Sequence, residues 1–67
     1  MSQVVQIELP DGVETCLGCK VSELASEMRL AAAIKWYELG QLSQGKAAEV
    51  AALSRVEFIS QLARFNV

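Results

Sequence analysis

A chain of 67 residues, 52% of them apolar and 21% charged, has the composition of one small folded domain. Its net charge of −2 is not typical of a general polyanion binder or of a basic peptide that lies on membranes. The longest apolar run, Leu30 to Ile34, is far shorter than the roughly 20 residues that a membrane span needs. We therefore expect a single domain over residues 1–67 and no membrane partner. Because the first residues do not resemble a secretory signal, we expect a cytoplasmic protein.

The sequence contains no histidine, which removes the commonest general base at neutral pH and the commonest metal ligand. No cluster of acidic residues is arranged to hold Mg²⁺ for a nuclease reaction. We therefore predict that the protein is not an enzyme, and that it has no catalytic residues, no metal site and no cofactor.

Residues 4–9 alternate apolar and polar side chains before a turn signal at residues 10–12, a pattern that predicts a half-buried β-strand. Val5, Ile7 and Leu9 form its apolar side. A lone strand leaves backbone groups unpaired on both edges, so it would need a second copy of the chain or another protein as partner. Residues 13–21 show no clean period and predict a turn or a short helical link.

A long helix is predicted from about residue 23 to residue 39, with Ser22 as its N-cap and Gly40 just after its last turn. At 100° per residue this helix carries two apolar stripes. The first stripe contains Ala25, Met28, Ala32, Trp36 and Leu39, and the second contains Leu30, Ala33, Ile34 and Tyr37. So small a chain has too little other structure to cover both stripes. We therefore predict a homodimer formed through this helix and the strand.

Two further helices follow, the first capped by Ser43 and ending at about Ala52, the second capped by Ser54 and ending at about Arg64. Ser54 and Glu57 have the spacing of a capping box. Two short helices with small residues between them are typical of a helix-turn-helix, here over about residues 43–65, although an ordinary helical hairpin would have the same pattern. The predicted fold is thus mainly α, with a short N-terminal strand, a long helix and a C-terminal helix-turn-helix.

Charge is distributed in the sense that DNA binding would require. Residues 1–42 have a net charge of −3 and residues 43–67 a net charge of +1. In a helix-turn-helix the first helix contacts phosphates and the second reads base edges. The candidate DNA-binding residues are Ser43, Gln44 and Lys46 on the first helix, and Ser54, Arg55, Ser60 and Gln61 on the second. The candidate dimer or partner interface contains Val5, Ile7, Leu9, Leu30, Ile34, Tyr37 and Phe65.

The stretch from Gly45 to Phe58, the preceding Ala33 to Ser43 and the opening Ile7 to Pro10 resemble a family of small prokaryotic helix-turn-helix antitoxins, long regarded as uncharacterised. Such proteins are typically encoded beside a toxin with a PIN-type ribonuclease domain. The resemblance implies an antitoxin that binds and silences its toxin and represses its own operon by binding operator DNA. The chain departs from the family pattern at Ala52, where a glycine is usual, and in having two cysteines.

Two local motifs have simpler explanations. Gly40 to Lys46 fits the start of a phosphate-binding loop, but Ala47 stands where a Ser or Thr would hold Mg²⁺, and a helix rather than a strand precedes it. Cys16 and Cys19 form a C-x-x-C pair, which we interpret as reduced structural thiols. An intersubunit metal site or a redox pair are the alternatives.

Two alternatives to the helix-turn-helix function stay open. In a ribbon-helix-helix repressor, paired N-terminal strands would enter the major groove, with Gln6 and Glu8 reading bases. In a protein–protein interaction module without DNA binding, the last helix would dock in a groove of its partner. One observation favours the interaction module without DNA binding. Near the positions that a helix-turn-helix presents to DNA, the last helix has the apolar residues Val56, Ile59 and Ala63.

Overall fold

The computed structural model describes residues 2–67, and within them the regular structure is entirely helical. Helix α1 spans Val13–Leu17, α2 spans Val21–Glu38, α3 spans Gln44–Ala51 and α4 spans Arg55–Arg64. The mainly α prediction is confirmed. The segment from 13 to 21, predicted as a turn or short helical link, contains the five-residue helix α1.

The predicted N-terminal strand at residues 4–9 is wrong. These residues form no strand, and every residue from 2 to 10 is exposed. We call residues 2–10 the arm. Alternation of apolar and polar side chains favours an extended backbone, but a strand also requires a neighbouring strand to bond its backbone groups. Within residues 2–67 no such neighbour exists, and the arm makes no backbone hydrogen bond to another segment.

Helix α2 begins earlier than predicted, and Ser22 is not its N-cap. The N-cap is Lys20, whose backbone N–H donates to the Glu23 carboxylate at 2.8 Å. Ser22 instead lies in the first turn. At the other end Gly40 adopts φ 77°, and the Gly40 and Gln41 N–H groups donate to the carbonyls of Tyr37 and Trp36. This pair of bonds ends α2 where the sequence predicts, since glycine takes the left-handed conformation at little cost.

The core lies between α2, α3 and α4. Its buried residues are Leu30, Ala33 and Ile34 of α2, Ala47, Ala48 and Ala51 of α3, and Phe58 and Leu62 of α4. The second of the two predicted stripes on α2 therefore faces the core. The Tyr37 and Phe58 rings meet edge to face, with centroids 5.9 Å apart. The first stripe stays uncovered, and Trp36 and Leu39 on it are exposed.

Residues 52–54 connect α3 to α4 in a tight turn. Ala52 adopts a left-handed backbone with φ 59°, and the N–H groups of Ala52 and Leu53 donate to carbonyls in the last turn of α3. The Ser54 hydroxyl then accepts from the Glu57 N–H at 3.1 Å, while the Glu57 carboxylate accepts from the Ser54 N–H at 2.9 Å. The predicted capping box is confirmed, and it sets the first residue of α4.

Arg29 joins α2 to the end of α3. Its Nε donates to the Val50 carbonyl at 2.7 Å, and its Nη2 reaches the Glu49 carbonyl at 3.4 Å. A guanidinium at a helix C-terminus satisfies carbonyls that have no partner within the helix and complements the negative end of the helix dipole. Sequence patterning gave no sign of this contact, because the two ends lie 20 residues or more apart.

Candidate nucleic-acid interface

The first turns of α3 and α4 are joined by their side chains. Gln44 and Arg55 are the first residues of the two helices, and the Arg55 guanidinium donates to the Gln44 side-chain oxygen at 3.1 Å. A predicted phosphate contact and a predicted base contact therefore lie side by side. Neither of the two ion pairs among the described residues involves Arg55, so its charge is not neutralised by a carboxylate.

Lys46 lies in the first turn of α3 and is paired within its own helix. Its Nζ is 2.7 Å from the Glu49 carboxylate, and both side chains are exposed. The hydrogen bond and the charge of Glu49 raise the pKa of Lys46 above its ordinary value. Lys46 is a cation at neutral pH, but a phosphate would have to compete with Glu49 for it.

Both serine caps are used by the protein itself. Ser43 accepts from the Lys46 N–H at 3.2 Å, in the same way that Ser54 accepts from Glu57. The hydrogen bonds from Ser54 hold the pKa of Glu57 below its ordinary value. The ionised capping box therefore stabilises α4 above the ordinary glutamate pKa, and this contribution is lost as pH falls through the lowered value.

The other two predicted base contacts form hydrogen bonds within their own helix. The Ser60 hydroxyl donates to the Val56 carbonyl of its own helix at 3.2 Å. Gln61 is half-buried and accepts from Arg64 at 3.0 Å. The structure thus brings Ser43, Gln44, Lys46, Ser54 and Arg55 to the joined first turns of α3 and α4, whereas Ser60 and Gln61 lie further along α4. Arg64 was not among the predicted residues, although it adds a third cation to this half of the chain.

The chain matches a protein-family model over its whole length, residues 1–67. It belongs to the uncharacterised protein family UPF0175. A UPF0175 protein of Archaeoglobus fulgidus is 43% identical over 63 residues, which cover 94% of this chain and 70% of the relative. A UPF0175 protein of Aeropyrum pernix is 36% identical over 66 residues, which cover 98% of this chain and 70% of the relative. No solved structure matches the chain.

Three of the predicted interface residues lie inside this UPF0175 fold. Leu30 and Ile34 are buried, and Tyr37 packs half-buried against the core. They hold α2 to α3 and α4, so they cannot form an exposed interface in this fold. Phe65 is 39% exposed beneath the Arg64 guanidinium, whose central carbon is 5.2 Å from the ring centroid. Val5, Ile7 and Leu9 are exposed on the arm.

The outer side of α4 is partly apolar. Val56 is 76% exposed and Ile59 is 49% exposed, and Ala63 is exposed one turn further on. These residues share the helix with Arg55, and DNA binding does not explain their apolar character. They add an apolar surface beside the cationic first turn.

The cysteines form neither a disulfide nor part of a metal cluster. Both thiols are free, and residues 2–67 hold no group of three or more cysteine or acidic side chains that could bind a metal ion. Partial burial, together with Glu27, Glu23 and Glu14, raises the pKa of Cys19, so its thiol resists ionisation. The segment that resembles a phosphate-binding loop contains the turn after α2 and the start of α3, and the element before it is a helix rather than a strand.

Within residues 2–67, no helix combines the length and the apolar character needed to cross a bilayer.

Proposed function

We propose that the protein is the antitoxin of a toxin–antitoxin pair. In this proposal it binds operator DNA through α3 and α4 to repress its own operon, and it silences a PIN-type ribonuclease toxin by direct contact. The protein carries out no reaction itself. The family resemblance of the sequence supports the toxin partner, and the geometry of α3 and α4 supports the DNA partner.

The observation that carries the DNA function is the connection between α3 and α4. A short helix packs its alanine face into the core and ends in a left-handed residue, and the next helix starts three residues later on a capping box. A three- or four-residue turn that usually contains glycine joins the helices of DNA-binding helix-turn-helix motifs. Ala52 lies in this turn and has a positive φ, a conformation that favours glycine.

The side chains at the start of α4 suit recognition of a base. In a helix-turn-helix the N-terminal residues of the second helix meet base edges in the major groove. Arg55 is the first residue of α4, is exposed, and has no carboxylate partner. Its bond to the neutral amide of Gln44 holds the guanidinium in a defined direction without cancelling its charge. A guanidinium held in this way can donate two hydrogen bonds to a guanine, one to O6 and one to N7.

Binding to DNA upstream of the protein's own coding region tests this role. Arg55→Ala is expected to weaken binding to that DNA by about 5- to 150-fold relative to a random duplex, since one Arg–guanine contact contributes about 1–3 kcal/mol of discrimination. Lys46→Ala is expected to weaken binding to the upstream DNA and to the random duplex alike. It is also expected to reduce the salt dependence of the binding constant, as loss of a phosphate contact would. Fluorescence anisotropy over a salt series measures both effects.

Arg64→Ala provides the matched control, because it removes the same charge from the far end of α4. It is expected to leave the ratio of specific to random binding unchanged. If Arg55→Ala retained the wild-type ratio while its circular dichroism matched that of the wild type, Arg55 would not be a base contact.

A second candidate function rests on the exposed apolar residues of α4. Val56 and Ile59 would suit docking of α4 in an apolar groove of the toxin, in a module that binds no DNA. An assay of how well the protein inhibits the ribonuclease encoded beside it distinguishes the two candidate functions. A Val56→Ser variant that no longer inhibits the ribonuclease, in a protein that binds no upstream DNA at any salt concentration, would favour the module.

A further inference from the structure

An open groove separates the arm from the surface of α2. The arm forms one wall through residues 2–5, Ile7 and Leu9. The opposite wall is formed by Leu24, Ala25, Met28, Arg29 and Trp36 of α2 with Val50 of α3. Both walls are mainly apolar, and most of the uncovered first stripe of α2 lies on one of them. The arm does not fill the groove, because Val4, Val5 and Ile7 remain 89%, 74% and 64% exposed.

Arg29 is the one charged residue among those that line this groove, and no carboxylate accompanies it. Two of its five donors are used by the carbonyls of Val50 and Glu49, and it takes part in neither ion pair of the described chain. An occupant that complements the groove is therefore an extended apolar segment that carries a negative charge. The arm itself has this chemistry, because Glu8 lies between Ile7 and Leu9 and Asp11 follows closely.

We propose that a second copy of this chain occupies the groove, with the arm of each protomer seated on α2 of the other. Each arm would place Val5, Ile7 and Leu9 on the α2 wall of its partner and bring Glu8 near the partner's α2 cation. The exchange is reciprocal, so it closes into a two-fold dimer. This inference is independent of DNA binding and of the toxin.

The dimensions of the two surfaces agree. From Leu24 to Trp36 the groove follows α2 for about 18 Å, at 1.5 Å per helical residue. An extended arm of residues 2–10 reaches up to about 30 Å, at roughly 3.3 Å per residue. The arm is therefore long enough to cross the whole wall.

The area is also sufficient for a dimer. An extended arm turns Val5, Ile7 and Leu9 to one side and Val4 to the other, so Val4 adds nothing to the covered area. Covering Val5, Ile7 and Trp36 removes about 60–120 Å² of apolar surface for each side chain, and covering the already partly covered Leu9 and Met28 removes about a third of that, or roughly 400–900 Å² in both copies together. Stable specific interfaces bury about 1,200–2,000 Å² of polar and apolar surface together. Backbone and polar atoms of the two arms add to the apolar part, which brings the exchange to the lower end of this range.

Sedimentation velocity of the full chain tests the proposal. We expect a dimer at about 50 μM, and a blue shift of the Trp36 fluorescence as concentration rises and the arm covers the indole. Ile7→Asp is expected to raise the dissociation constant by about tenfold or more. Gln6→Asp adds the same charge on the polar side of the arm and serves as the matched control, which is expected to remain dimeric. A monomer at 50 μM, or an Ile7→Asp variant as dimeric as the wild type, would overturn the proposal.

Mixing two variants distinguishes arm exchange from contact between two arms or between two α2 faces. Ile7→Asp damages the arm and Ala25→Asp damages the groove, and both positions are exposed, so the fold should survive. Each variant alone is expected to be monomeric. In the mixture, the intact arm of the Ala25→Asp chain meets the intact groove of the Ile7→Asp chain, and partial dimerisation is expected. A mixture no more dimeric than either variant alone would contradict reciprocal exchange.

Discussion

The backbone at Ala52 has a conformation that costs an L-residue with a side chain about 1–2 kcal/mol. Glycine would avoid this strain but would lose more backbone freedom on folding. Ala52→Gly is therefore expected to raise the free energy of unfolding by about 0.5–1 kcal/mol. Urea denaturation followed by circular dichroism measures the change.

Ala51→Gly is the matched control for that variant, because it removes the same methyl group from the neighbouring residue. Ala51 is helical and buried, so its replacement is expected to lower the free energy of unfolding by about 1 kcal/mol or more. Destabilisation by both variants would show that the left-handed turn carries no strain that glycine relieves.

Which capping residues the sequence could reveal depends on how local their interactions are. Ser54 with Glu57 could be predicted because all its partners lie within four residues. Ser22 is a better capping residue type than Lys20, and the pattern alone favours it. What decides the start of α2 is the Glu23 carboxylate, which accepts from the Lys20 N–H, so the helix begins two residues earlier than predicted.

At the scale of helices, Arg29 supplies a directional link between α2 and α3. Arg29→Lys keeps the positive charge and most of the stem but loses the fork that donates to the Val50 and Glu49 carbonyls. We expect the free energy of unfolding to fall by about 1 kcal/mol, less than for a buried charged hydrogen bond because the side chain is exposed. Thermal and urea denaturation would measure this loss.

Arg64→Lys makes the same replacement where the guanidinium contacts only nearby residues, through a hydrogen bond to Gln61 of its own helix and a position over the Phe65 ring. Its effect is expected to stay within about 0.5 kcal/mol. If both variants lowered the free energy of unfolding equally, the contact of Arg29 with α3 would contribute no more to stability than the contacts of an ordinary surface arginine.

The helices could be predicted from the sequence better than the arm or the arrangement of the helices. Spacing, caps and Gly40 indicated α2, α3 and α4 because these signals act within one or two turns. Alternation in the arm predicted a strand, which depends on a partner that the pattern cannot supply. Both stripes on α2 could be recognised, but periodicity cannot tell which one packs on α3. The alanines of α3 make that choice, since they let the helix approach Leu30 and Ile34 closely.

For the molecule as a whole, residues 43–67 carry only a weak positive charge, and Glu49, which is paired with Lys46, is one of the two carboxylates that lower it. Glu49→Gln is expected to increase the affinity for random duplex DNA about two- to fivefold at low salt, because it removes one repulsive charge and frees Lys46. Anisotropy titrations between 50 and 200 mM salt would follow this gain, which should shrink as salt increases.

Glu38→Gln is the control, because Lys35 and Glu38 form an ion pair of the same spacing on α2. This variant changes the net charge equally but lies outside α3 and α4, so its effect on DNA affinity is expected to be smaller. An equal gain from both variants would assign the effect to net charge rather than to the surface around Lys46.

The candidate site was only partly predictable. The sequence placed Ser43, Gln44, Lys46 and Arg55 at the starts of two helices, and the structure keeps them there. It could not show that Arg55 bonds Gln44, that Ser60 bonds its own helix or that Arg64 engages Gln61, because side-chain pairing depends on rotamers and packing. The burial of Leu30 and Ile34 within one chain likewise follows from the arrangement of the helices.

The buried residues extend only from Leu30 to Leu62, and the main packing contacts join α2 with α3 and α3 with α4. Each of these pairs is consecutive along the chain, so the core has a low contact order and little loop-closure entropy to overcome. The folding nucleus can therefore form from local encounters alone. Residues 2–20 contribute no buried side chain to the core, so the N-terminal third of the chain can change in sequence at little cost to foldability.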